Sequence, residues 1–483
     1  MSPRPGDPIL EAFARLVRRR PDAPLLLAAD GAVTAAGIDA LGRRVEARLA
    51  ATDLPPERPI GLRGPNGTAF LTGFLGARRA GHPVVLLDQR ATAPELARQA
   101  ERFGLGALLQ VPAEGGDLPT MEPLGGAERE PPPAGTAAVK LTSGSSGESR
   151  GVAVSAGALC ADDSALRASM GIAEGDRLLA LVPFAHSYGL SSLLVPALTV
   201  GLTLVVPEDR GPFGALRAAR EHEVTVFPTV PAYLAALLSL GEGDVLPPSL
   251  RLVLSAGSAL PPAVAERFRR RFGLPVHAFY GASECGGIAY DREGRGAERG
   301  TVGEPVDGVS VELEEVPGLS AQEGGRVVVR SAAVAPGYWP EPDERLGGGR
   351  YRTGDLARLA GGEIALVGRL GDLIHVRGSK VSPLEVETVI SALPAVDDVV
   401  VQGVRDPQGG GELVRAVVAA RRGVTAEEVV RWCRGRLADF KVPRRVVVLP
   451  EIPRTARGKL DVEGLAAALA GSGEGPAAGP EEA

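Results

Sequence analysis

Residues 141–155 read Leu-Thr-Ser-Gly-Ser-Ser-Gly-Glu-Ser-Arg-Gly-Val-Ala-Val-Ser, a run of small hydroxyl and glycine residues between two apolar stretches. Four glycines (Gly144, Gly147, Gly151, Gly157) permit tight turns with backbone N–H groups pointing inward, while Thr142, Ser143, Ser145 and Ser146 add hydroxyl donors around an anion. Arg150 supplies countercharge. The spacing predicts a phosphate-wrapping loop. A Walker loop is excluded, because it must lead through Gly-Lys-[Ser/Thr] into a helix, and here Gly151 is followed by the strand-like Val-Ala-Val. Taken alone, a Gly/Ser-rich loop is more often a flexible surface connection. Its meaning depends on what surrounds it.

On the N-terminal side, strand-like runs at Pro24–Leu27 and Pro83–Leu87 alternate with amphipathic helical runs at 38–50 and 93–101. Residues 112–135, rich in Pro, Gly and Glu, read as an exposed connection. Downstream, helices are predicted near 156–168, 232–240 and 262–272, with strands at 177–182, 224–227 and 252–255. This alternation implies largely parallel sheets with covered faces, an α/β fold. The apolar run 190–206 contains serines, threonines, a proline and a glycine, so it reads as a buried helix turning into a strand rather than a membrane span. From 301 to 366 short β runs with Gly turns (309–314, 325–330, 362–367) predict a small β-barrel-like subdomain or antiparallel cap.

A second domain is expected just after Arg369. Ser382-Pro-Leu-Glu385 and Thr425-Ala-Glu-Glu428 both have capping-box spacing, and 399–403 and 414–420 look like strands. The expected organisation is a large N-terminal domain over 1–369, a small mobile α+β domain over 370–470 and a disordered tail over 471–483.

At 483 residues with 44% hydrophobic content, more than one core is expected. A net charge of −6 and the lack of a basic stripe with interleaved aromatics argue against nucleic-acid binding. Three isolated cysteines without C-x-x-C spacing argue against a disulfide framework or structural zinc, and the first ten residues lack a secretory signal pattern. A cytoplasmic protein with no membrane partner is the expectation. Only four of the 53 basic residues are lysines (Lys140, Lys380, Lys441, Lys459), which makes each of them informative.

After the phosphate loop come, in order, Pro183-Phe-Ala-His-Ser-Tyr-Gly189, Tyr280-Gly-Ala-Ser-Glu284, Tyr351-Arg-Thr-Gly-Asp355, Gly368-Arg369, Gly378-Ser-Lys380 and Pro453-Arg-Thr-Ala-Arg-Gly-Lys459. In these elements, over nearly the whole chain, the sequence resembles the adenylate-forming superfamily of acyl- and aryl-CoA synthetases, luciferases and peptide-synthetase adenylation domains. The resemblance implies ATP, Mg2+ and a thiol acceptor: ATP transfers AMP to a carboxylate, expelling pyrophosphate, and a thiol then displaces AMP. Such chemistry needs a cation at the triphosphate, donors for the pentavalent phosphorus, a grip on adenosine and a water-poor acid pocket.

The resemblance assigns Glu284 to Mg2+, where one protein carboxylate suffices if substrate phosphates complete the octahedron. It places Tyr280, with Phe279 and Gly281, at the adenine, Ser283 at the α-phosphate, and Asp355 on both ribose hydroxyls with Arg369 as a further contact. Gly257 and Ser258 join the nucleotide and acid sites. Lys459 is implied to bridge the carboxylate and α-phosphate; in so arginine-rich a chain, a lysine there suggests that a compact point charge is wanted. His186 is implied beside the acid, with Ser187, Ala256, Gly257, Gly286, Gly287 and Ile288 as small or apolar lining. Amino-acid-activating members usually carry an Asp in the His186 segment, and no acidic residue occurs between Val182 and Val206. An aryl or medium acyl acid is therefore expected, and an α-amino acid is not.

The family rotates its C-terminal domain about a residue two positions after the Arg of Gly-Arg, commonly Asp or Lys. This chain has Gly371 there, which permits rotation but forgoes a polar hinge contact. Gly378 and Lys380 resemble the acyl-CoA ligase version of the pantetheine approach. The acceptor is read as CoA, with the phosphopantetheine of an acyl carrier protein or a nitrogen nucleophile as alternatives, and a non-catalytic nucleotide sensor as a reading of another class. Ser149 and Arg150 occupy places where Pro and Lys are frequent in the family.

Overall fold

The computed structural model describes residues 6–28, 31–113, 116–125, 129–143, 149–241, 243–317, 319–320, 322, 324–376, 379–405, 412–420, 423–454 and 460–471. Two large sheets dominate. In the first, Pro24–Ala28, Thr203–Val205, Arg177–Leu179, Val226–Thr229, Leu252–Ser255 and His277–Ala282 run parallel in that neighbour order. Gly31–Thr34 pairs antiparallel at one edge, and Gly286–Tyr290 followed by Glu304–Pro305 at the other.

In the second sheet, Ala107–Gln110, Ile60–Arg63, Val84–Leu87 and Thr136–Ser143 are parallel. Ser149–Ser155 folds back antiparallel on Thr136–Ser143, and Gly337–Trp339 adds antiparallel to it. Central strands such as Val84–Leu87 are continuous apolar runs, as sheets covered on both faces require. The helix Thr68–Ala80 is buried at every residue from Thr68 to Arg78, consistent with its nearly unbroken small and apolar sequence.

The predicted exposed connection 112–135 contains a short strand, Thr120–Pro123, paired antiparallel with Ala107–Gln110 at the sheet's edge. With one neighbour and a solvent-facing side it needs no apolar alternation, and its proline is tolerated there. The apolar run 190–206 is a buried π turn (Leu190–Leu194), a short α-helix (Val195–Thr199) and the strand Thr203–Val205.

Residues 310–369 form a five-stranded antiparallel sheet from Ser310–Glu314, Gly325–Arg330, Arg350–Ala360, Leu346–Gly347 and Glu363–Arg369. Beyond it, the hairpin Ile374–Val376/Ser379–Val381 and the strands Asp398–Arg405, Glu412–Ala419 and Arg445–Leu449 pack with the helices Pro383–Ser391, Ala426–Arg434 and Val462–Gly471 around separate cores. Thr425 and Glu428 make the reciprocal capping box. At Ser382 only half of it forms: Ser382 accepts from the Glu385 N–H, while the Glu385 carboxylate is held by the Lys441 ammonium at 2.9 and 3.0 Å. A full charge outcompetes a backbone amide for that carboxylate. The last helix reaches Gly471; residues 472–483 of the expected tail lie outside the described residues. Among the described residues no helix is long and apolar enough to cross a membrane.

Candidate functional site

The predicted phosphate loop joins two antiparallel strands, Thr136–Ser143 and Ser149–Ser155, with Thr142 opposite Arg150 and Leu141 opposite Gly151. The segment is therefore strand–loop–strand. Gly144, Ser145, Ser146 and Gly147 lie outside the described residues, as does the Ser143 side chain. Gly151 and Gly157 do not belong to the loop. Gly151 lies within the second strand, where a Cβ would stand 2.5 Å from the Trp339 carbonyl oxygen, so its role is the close approach of the strand Gly337–Trp339; Gly157 lies in the helix Ala156–Met170.

At the carboxyl end of the first sheet, Tyr280 lies in the strand His277–Ala282 and Glu284 in the turn that joins it to Gly286–Tyr290. The Tyr280 hydroxyl donates to Asp355 Oδ2 at 2.6 Å, and Arg369 Nε donates to Asp355 Oδ1 at 2.6 Å. Register explains the second contact, since Asp355 and Arg369 are cross-strand partners. Three predicted nucleotide residues from separate motifs thus meet around one carboxylate. Burial and the Asp355 charge hold the Tyr280 phenol well above its ordinary pKa, so it stays a donor.

Glu284 Oε1 accepts a 2.8 Å hydrogen bond from the Tyr338 hydroxyl, and its backbone carbonyl accepts from Ala335. Oε2 has no partner among the described residues. No group of three or more His, Cys, Asp or Glu side chains that could hold a metal is found among the described residues. One anchored carboxylate with a free oxygen fits a Mg2+ whose remaining ligands come from phosphates and water, not a metal caged by protein.

Arg150, expected on phosphate, ion-pairs with Asp343 at 2.9 Å and stacks on the Tyr338 ring, with its guanidinium carbon 3.6 Å from the centroid. Arg345 and Arg150 hold the Asp343 carboxyl well below the usual range. At the other base of the loop, Lys140 is buried, and its ammonium lies 3.4 Å from the Ser283 carbonyl oxygen. Burial pulls its pKa below the ordinary lysine value, opposed chiefly by the Asp162 charge; burial conversely pushes the Asp162 carboxyl up, opposed by Lys140.

His186 and Ser187 are half-buried at the start of the short helical segment Ser187–Gly189. Asn66 clamps the approach to that segment, donating to the Ala180 and Val182 carbonyls at 2.8 Å and accepting the Phe184 N–H at 2.7 Å. His186 Nε2 lies 3.4 Å from Asp88 Oδ2, so an acidic group does reach this segment, from just after the strand Val84–Leu87 rather than from its own stretch of chain. The Tyr188 ring stands 5.7 Å from that of Phe279, linking the segment to the Tyr280 turn.

Ala256 is buried, with Gly257 and Ser258 exposed just after Leu252–Ser255; Ile288 is fully buried. The space side chains at Gly286 and Gly287 would take is filled by Asp162 and Leu166, both on the helix Ala156–Met170. Asp162 also accepts the Gly287 N–H at 2.9 Å. These two glycines therefore let that helix pack against the turn.

Gly371 lies exposed in the 3-10 turn Leu370–Asp372, and a Cβ there would meet nothing within 4 Å. Lys380 donates to the Pro317 carbonyl at 2.6 Å. Gly378 and Lys459 lie outside the described residues. Sequence reasoning missed Asn66, Asp88, Asp162 and Tyr338. None lies in a motif, though Lys140 was signalled by the scarcity of lysine.

A family model described as AMP-binding enzyme matches residues 13–339, and one described as AMP-binding enzyme C-terminal domain matches residues 385–459. The chain is 31% identical over 476 residues to a feruloyl-CoA synthase of Amycolatopsis sp, covering 92% of this chain and 96% of that protein. It is similar in structure to the o-succinylbenzoate CoA synthetase of Bacillus subtilis in complex with the acyl-adenylate OSB-AMP, with a TM-score of 0.79, 27% identity and coverage of 93% and 96% of the two chains. ATP-bound MatB from Rhodopseudomonas palustris superposes with a TM-score of 0.81 at 25% identity, covering 94% and 98%.

Proposed function

Because the chain belongs to the AMP-binding enzyme family, we propose that it activates a carboxylic acid with ATP, releasing pyrophosphate, and passes the acyl group from the adenylate to the thiol of CoA. The observation that carries this reading is the convergence of Tyr280 and Arg369 on Asp355, with Tyr280 four residues before the anchored carboxylate Glu284. Relatives with CoA-ligase names over nearly the full chain support the thiol step.

In this reading Asp355 exchanges its present donors for ribose hydroxyls, and Tyr280 lies against the adenine. Glu284 would hold Mg2+, which supplies charge neutralisation on the phosphates. Arg150 steadies the base of the phosphate loop from its Asp343 pair, and the loop residues 142–147 cradle phosphate. Lys459, on the C-terminal domain over 370–470, brings an ammonium to the oxygen shared between acid and α-phosphate as charge moves between them. Gly371 is the pivot, and Gly378 and Lys380 border the thiol arm. The acid lies near His186, Ser187 and Ala256.

An aryl or medium acyl acid is the substrate class, because the expected lining is apolar or small and no acidic residue occurs between Val182 and Val206. The setting is the cytoplasm, where CoA and ATP are available. ATP–pyrophosphate exchange across a panel of aryl, acyl and amino acids tests the reading, followed by mass spectrometry of products formed with CoA. Exchange with aryl or acyl acids and an acyl-CoA product are expected. No exchange with any acid would overturn activation, and exchange confined to amino acids would overturn the substrate class.

A further inference from the structure

The two bases of the phosphate loop reach the same turn. On one side Lys140 contacts the Ser283 carbonyl; on the other Arg150 lies flat on the Tyr338 ring, whose hydroxyl is bonded to Glu284. Tyr338 is held for this purpose by its strand: Gly337–Trp339 pairs with Gly151–Ala153, immediately after Arg150, and the missing side chain at Gly151 lets the two backbones close up. Asp343, further along the same segment, keeps the guanidinium over the ring.

We propose that Tyr338 is a positioning residue that couples the metal-binding carboxylate to the phosphate loop: its hydroxyl aims Glu284, and its ring sets Arg150. The inference rests on Glu284 taking the metal, as proposed above. Anchoring Oε1 leaves Oε2, which has no partner among the described residues, to face a metal in a single direction, which matters for an ion that demands near-octahedral geometry. The ring face favours a cation, so one side chain serves two charged groups of opposite sign.

Two variants separate the two functions. Tyr338→Phe keeps the platform and removes the hydroxyl; Tyr338→Leu removes both. Mn2+ binding to the full-length protein in the presence of ATP is followed by equilibrium dialysis, with Mn2+ and ATP equal in free concentration on both sides so that only protein-bound metal is counted, alongside the ATP KM for pyrophosphate exchange and the melting temperature. Tyr338→Phe is expected to weaken Mn2+ binding about tenfold, the scale of one lost hydrogen bond to a charged group. Its ATP KM at saturating Mg2+ and its melting temperature should stay near wild type. Tyr338→Leu should in addition raise that KM severalfold. A Tyr338→Phe protein that binds Mn2+ as tightly as wild type overturns the coupling while leaving the activation reading intact. A wild-type protein that binds no Mn2+ with ATP and gives no exchange overturns both.

Discussion

Gly189→Ala tests how the His186 segment is held. A Cβ at position 189 would stand 2.0 Å from the Pro183 carbonyl oxygen, 2.6 Å from its carbon and 3.0 Å from the Phe184 nitrogen. All three are backbone atoms, so no side chain can rotate away, and the segment must give by roughly 1 Å to restore even a tight contact. The Pro183 carbonyl also accepts the His186 N–H at 3.0 Å, and displacing it breaks that bond. Overpacking of this kind costs about 1–3 kcal/mol, and a lost hydrogen bond about 1 kcal/mol, for a total of about 2–4 kcal/mol. A reacting group misplaced by roughly 1 Å costs on the order of 100-fold in rate. Thermal unfolding should therefore show a melting temperature lower by several degrees, and kcat/KM for the acid should fall about 100-fold. The ATP KM should change little, because Tyr280, Asp355 and Arg369 lie on other elements. A variant with wild-type melting temperature and acid kcat/KM would refute the packing argument; one that lost stability but kept acid kinetics would refute the placement of the acid beside His186.

Lys459→Ala should reduce adenylation by orders of magnitude while thiolysis of a supplied acyl-adenylate largely survives; equal loss in both half-reactions, measured separately, would contradict the assigned role. Lys140→Met leaves the buried Asp162 without its compensating charge and should destabilise the protein by about 3–5 kcal/mol in chemical denaturation, whereas the double variant with Asp162→Asn should recover much of that. A double variant no better than the single one would show that the two charges do not compensate each other. Burial, reinforced by Asp163, pushes the Cys160 thiol up to about 12, burial pushes Cys433 up to about 11, and burial also raises Cys285. Only the thiolate reacts, so at pH 8 the native protein should react with a thiol-disulfide reagent at least about 100-fold more slowly than the denatured chain, whose three thiols titrate fully. Rapid native labelling would contradict these shifts.

The parallel α/β layering was legible because buried strands must be continuous apolar runs and their helices amphipathic: Leu252–Ser255 and the helix Pro262–Phe272 lie where periodicity placed them. The edge strand Thr120–Pro123 was not legible, since one-sided pairing leaves no periodic mark. Likewise Tyr280, Asp355 and Arg369 were singled out by short motifs, and the structure brings these three side chains together. Asn66, Asp88 and Tyr338 were not, because each acts on a segment more than fifty residues away.

The order of motifs and the apolar periodicity along the chain by themselves determined the family and the α/β class. Only the tertiary structure decided which charges meet. It gave Arg150 to Asp343 and the Tyr338 ring, placed Asp88 at His186, and filled the space beside Gly286 with Asp162. Local sequence constrains backbone conformation through nearest neighbours, whereas the partner of a side chain is set by strand register and packing between elements far apart in the chain.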